Sequence, residues 1–134
     1  MRDDAWLDER LTQIWGFLFP EVPRENNVLI RFKGRWKNKF GHISKKGKDS
    51  EIVINGLFKH LEVPEYMVDL TIAHELIHYM HGFQSPLPKL YKHPHKGGIV
   101  TRELRKRGFS HLMVKEKYFL KDKWIKLYKH FTGL

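Results

Sequence analysis

Leu7, Leu11, Ile14 and Leu18 recur at helical spacing near the start of the chain, which places all four on one face. Asp3 or Asp4 offers a capping oxygen ahead of this run, and Phe19-Pro20-Glu21-Val22-Pro23 ends it. The pattern then shortens. Residues 28–36, 39–43 and 51–55 read as three strands, with an exposed turn over residues 44–50. Residues 56–61 allow one or two helical turns. Pro64 suits the first position of a long helix that runs to about Tyr79 or His81, where Gly82 supplies a stop. Residues 84–98 hold three prolines and two glycines and read as irregular. A short helix follows over residues 99–107, ended by Gly108. A last amphipathic helix over residues 115–131 carries Tyr118, Trp124, Ile125, Tyr128 and Phe131. There is no internal repeat and no linker. Helix, strands, then helices predict a single α+β domain over residues 1–134, with a small antiparallel or mixed three-stranded sheet.

Composition narrows the class. Of 134 residues, 41% are hydrophobic and 30% charged, as in folded globular proteins. There is no cysteine, so disulfides and cysteine-based zinc modules are excluded, and any metal must use His, Asp or Glu. The densest apolar stretch, Trp15-Gly16-Phe17-Leu18-Phe19, is far too short to span a bilayer. The start Met1-Arg2-Asp3-Asp4 lacks the features of a secretory signal, which predicts a cytoplasmic protein. Charge is uneven: residues 1–88 hold 12 Lys/Arg against 12 Asp/Glu. Residues 89–134 hold 13 Lys/Arg against Glu103, Glu116 and Asp122, and so carry the whole net charge of +10. That asymmetry predicts a polyanionic partner, nucleic acid before membrane.

The long helix contains His74-Glu75-Leu76-Ile77-His78, an HExxH motif. Two imidazoles four residues apart share a helix face and can reach one ion. Glu75 stands one residue further round, where it meets a water rather than the metal. Zinc lowers the pKa of such a water to about 7, and a neighbouring carboxylate takes its proton as the water attacks a peptide carbonyl. With nine histidines in the chain, the pattern arises by chance roughly 0.04 times per sequence of this composition. The expected chemistry is zinc-dependent peptide hydrolysis, with one Zn²⁺, His74 and His78 as ligands and Glu75 as general base.

A catalytic zinc takes three protein ligands. His81, His93, His95, Glu103 and His111 all lie downstream. His81 is one turn beyond the pair and reaches a shared ion poorly. His93 and His95 occupy a flexible stretch that can fold back, and spacing leaves them level. Glu103 would give a glutamate-ligated site.

The run Glu51-Ile52-Val53-Ile54-Asn55, the motif through Tyr79, and His95-Lys96-Gly97-Gly98-Ile99 together resemble SprT-like metallopeptidases. Trp36-Lys37-Asn38-Lys39-Phe40-Gly41 is similar to the family's basic-aromatic segment ahead of the site. The resemblance covers roughly residues 5–110 and implies a zincin-like domain with His95 as the third ligand. Ile99 stands where the family has an aromatic, and Lys96 where it usually has glycine. A basic helix replaces the cysteine zinc ribbon of many members. The resemblance also implies a substrate class, proteins attached to DNA, and hence a nucleoid-associated location.

Arg31, Lys33, Arg35, Lys37 and Lys39 alternate with Phe32, Gly34, Trp36, Asn38 and Phe40. Strand periodicity predicts five cations on one face and the aromatics on the other. Such a row suits phosphate contacts on single- or double-stranded DNA without reading of sequence.

Overall fold

The computed structural model describes residues 1–134. Helix α1 spans Asp4–Leu18, and Asp3 caps it by accepting from the Trp6 N–H. Its buried face is Leu7, Leu11, Ile14 and Trp15, while Leu18 is 37% exposed. The stripe therefore turns to Trp15 in the last turn, where the indole N–H donates to the Val22 carbonyl and closes the chain over the Phe19–Pro23 bend.

Strands β1 (Val28–Lys33), β2 (Gly41–Lys46) and β3 (Asp49–Asn55) form a mixed sheet in the order β1-β3-β2. β3 is central, parallel to β1 and antiparallel to β2. Register places Ile30 and Ile43 on either side of Ile52, so one sheet face is a continuous apolar surface. The expected exposed turn over residues 44–50 is shorter than its composition suggests. β2 runs to Lys46, β3 starts at Asp49, and only Gly47 and Lys48 turn the chain, with Gly47 at φ +62°. Cross-strand pairing absorbs polar residues that resemble loop in isolation.

The first strand is shorter than predicted, and the five-cation row is overturned. β1 ends at Lys33, and Gly34 takes φ +86° to lead the chain off the sheet. Buried Asn55 holds residues 34–40 by donating to the Trp36 and Lys39 carbonyls and by accepting from the Leu57 N–H. Arg31 and Lys33 remain on the strand's outer face, while Arg35, Lys37 and Lys39 lie in this loop. The aromatics separate too: Phe40 stacks on Phe58 at 5.5 Å, whereas Trp36 lies over His42 at 5.9 Å.

A single 3₁₀ turn, Gly56–Lys59, leads into α2 (Glu65–Met80), with Pro64 at its N-cap position. α2 packs across the apolar sheet face and against α1, and an Arg10–Asp69 pair with two 2.7 Å bonds joins the two helices. α3 spans Ile99–Lys106. The last helix begins earlier than expected, as α4 (Ser110–Phe119). It continues through a π-helical turn, Leu120–Trp124, into α5 (Ile125–Thr132). The extra residue of a π turn redirects one side chain. Here Trp124 enters the core against Phe40 and Phe58, and its N–H donates to the Lys37 carbonyl. No helix is long and apolar enough to cross a membrane.

Candidate metal centre

His74, Glu75 and His78 lie in the C-terminal half of α2, over the sheet. His78 and Glu75 are 1% and 4% exposed, and His74 is half-buried. The two Nε2 atoms stand 3.1 Å apart. Two nitrogens each about 2.05 Å from a tetrahedral zinc are separated by roughly 3.3 Å, so the pair fits ligation of one ion. Burial holds both imidazoles below their ordinary range, and the neighbouring histidines add to this; for His78 the value falls to about 3. The rings are therefore neutral and keep the lone pairs that bind metal.

The helix terminus sets the surroundings of His78. Gly82, at φ +75°, donates to the Tyr79 carbonyl, and the Phe83 N–H donates to the His78 carbonyl. This is a Schellman closure, which brings the residue after the glycine against the one three positions before the cap. Phe83 accordingly packs on the His78 ring at 5.4 Å. A Cβ at position 82 would sit 2.2 Å from the Pro88 carbonyl oxygen, so only glycine fits. The stop signal legible in the sequence thus also places Phe83, which the sequence did not single out.

His95 is brought to this cluster, its ring 4.5 Å from His78 and 5.5 Å from Phe83. His93 is exposed, and its carbonyl only caps a turn at Lys96. Glu103 is paired with Arg107, which also engages Glu21 and the Leu18 carbonyl. His81 is buried against Tyr91, with ring centroids 4.8 Å apart. His111 is exposed on α4. Of the downstream candidates, His95 is the one whose ring packs on His78. No three His, Asp or Glu side chains are closed tightly enough around one point to hold an ion, so His95 stands beside the pair rather than in ligating register. His78 Nδ1 is buried without a partner. The His78 ring is held by packing against Phe83.

Glu75 opens onto a cleft of about 230 Å³ shared with His74, Gly41 and Thr71. Burial raises its carboxyl to about 8, with the Lys39 charge opposing. Gly41 lets β2 approach α2: a Cβ there would lie 2.7 Å from Thr71 Cγ2, 2.8 Å from the Val53 carbonyl oxygen and 3.5 Å from Glu75 Oε2. Gly41→Ala is expected to cost about 1–3 kcal/mol through overpacking, read as a lowered urea midpoint. The Tyr79 hydroxyl donates to Asn26 and its ring packs against Trp15.

These two titrations have opposite signs. In metal-free protein between pH 4.5 and 8, folded Glu75 keeps a proton that the unfolded chain has released, so stability falls as pH rises. His78 is depressed, from 6.5 to about 3, so its contribution is lost as pH falls through that window. Between 4.5 and 6.5 the two oppose each other. Glu75→Gln removes one of them. Metal-free Glu75→Gln protein should gain on the parent as pH rises from about 5 to 8, by on the order of 3 kcal/mol at neutrality. Urea melts across pH check this, and a difference that shrinks with rising pH would contradict it.

Comparison with protein-family models, with curated proteins and with solved structures returns no match to this chain.

Proposed function

We propose that this chain is a zinc-dependent peptidase, similar in kind to the SprT-like enzymes, acting on proteins held on DNA. The observation that carries the reading is the 3.1 Å approach of the His74 and His78 Nε2 atoms beside a buried glutamate at a cleft. His74, His78 and His95 would hold the ion. Bound zinc would supply Lewis-acid polarisation and, by its charge, draw the Glu75 carboxyl into its ionised form. Glu75 then accepts a proton from the attacking water as the water oxygen bonds to the peptide carbon. It passes that proton to the departing amine as the C–N bond breaks. Neutral His74 and His78 contribute lone pairs and no protons.

The DNA part rests on how the cations are gathered. Arg35 donates to the Phe131 carbonyl and Trp124 to the Lys37 carbonyl, so the loop over residues 34–40 and the basic last helix form one surface. Arg31 is paired with Glu51, while Lys33, Arg35, Lys37 and Lys39 are exposed in or beside the loop, and Lys126 and Lys129 are exposed on the helix. The Gly47–Lys48 turn, with Lys45 and Lys46, lies at the opposite end of β3, about 20 Å away by strand rise. A cytoplasmic, nucleoid-associated location follows from this reading.

The test compares cleavage of a protein crosslinked to DNA with cleavage of the same protein free, together with the salt dependence of DNA binding. Faster cleavage of the crosslinked form is expected. Neutralising Lys33, Lys37 and Lys39 should flatten the slope of log affinity against log salt by about two to three units. Neutralising Lys45, Lys46 and Lys48 should leave that slope nearly unchanged. Equal effects of the two triple variants would reduce the loop to ordinary surface charge.

A further inference from the structure

Glu116 lies in the most basic third of the chain, yet it makes no ion pair. The chain's ion pairs centre on Arg10, Arg31 and Arg107. Its neighbour Lys115 points instead over the Tyr66 ring. From α4, Glu116 lines the same cleft of about 230 Å³ as His74 and Glu75, and Phe40, Leu70 and Leu104 supply its apolar lining. The cleft thus has a candidate hydrolytic end, an apolar wall and an unpaired carboxylate. Its volume falls below the roughly 300–1,000 Å³ of small-molecule sites and suits one extended side chain of a longer substrate.

We propose that Glu116 is a specificity-determining residue of the cleft, receiving the cationic tip of a lysine or arginine side chain of the substrate. The aliphatic stem of such a side chain lies along Leu70, Leu104 and Phe40, as long basic side chains do on apolar surface. The charged tip meets a carboxylate that has no other partner. Burial raises the Glu116 carboxyl, so an incoming cation relieves an existing desolvation cost. An uncharged side chain of equal length gains the wall and not the tip. The inference rests on the peptidase reading for its consequence in turnover, but binding tests it separately.

Matched peptides carrying lysine, arginine, norleucine or glutamate at one position distinguish the outcomes. Zinc-loaded protein should favour lysine or arginine over norleucine at least tenfold in kcat/KM, with the difference in KM. Glu116→Gln should reduce that preference below twofold, and Glu116→Lys should shift it toward glutamate. A preference below twofold in the parent, or one that survives Glu116→Gln, overturns the inference and leaves the peptidase reading standing. Calorimetry with Glu75→Gln protein covers the opposite case. Lysine peptide binding at least tenfold tighter than norleucine peptide, lost in the Glu75→Gln/Glu116→Gln double variant, upholds the cleft assignment even where no peptide is cleaved. Equal binding overturns it.

Discussion

Glu75→Gln protein is expected to hold as much zinc as the parent and to cleave protein substrates about 10²–10⁴-fold more slowly, the usual worth of a positioned proton acceptor. The asymmetry follows from position. Glu75 faces the cleft shared with Gly41 and Thr71, while the two Nε2 atoms meet one turn apart along the same helix. Glutamine keeps the size and the hydrogen-bonding shape and removes only the capacity to accept a proton. The measurement pairs metal analysis with single-turnover cleavage. Zinc lost along with activity would make Glu75 a ligand, and full activity would remove it from the chemistry.

The second large effect separates the histidines. His74→Ala or His78→Ala should weaken zinc binding by well over the 10–100-fold that outer-sphere partners are worth, because each removes one of two nitrogens already converged to 3.1 Å. His95→Ala should do the same. His93→Ala should not, since it is the His95 ring that packs on His78 and Phe83. Glu103→Ala should leave zinc affinity intact and lower stability instead, through its pairing with Arg107. Competition titrations with a chromophoric chelator read each affinity, and a Glu103→Ala loss equal to that of His78→Ala would transfer the third position to α3.

What was legible in the sequence divides along physical lines. α2 was readable because an initiating Pro64 and a terminating Gly82 bracket it, and the HExxH spacing then follows from helix geometry alone. The strand order was not readable. β1 and β3 pair in parallel although β2 lies between them in sequence, a tertiary choice that local patterns do not encode. The cation row failed at a single residue: alternation continues past Gly34, but the chain leaves the sheet there because Asn55 binds the carbonyls beyond it. Gly41, Phe83 and Glu116 were missed for a related reason, since each acts through a contact with a distant element. Glu116 left a trace, being one of three acids among 13 cations in residues 89–134. His93 and His95 were level by spacing and are separated by packing against Phe83.

Zinc reconstitution tests the central claim most directly. Metal-free protein should cleave no protein substrate, and activity should rise linearly with added zinc to a break at one ion per chain. X-ray absorption at that point should report three imidazole nitrogens at about 2.0–2.1 Å and one oxygen. Cleavage that ignores zinc, or zinc bound without His74 and His78, would contradict the account.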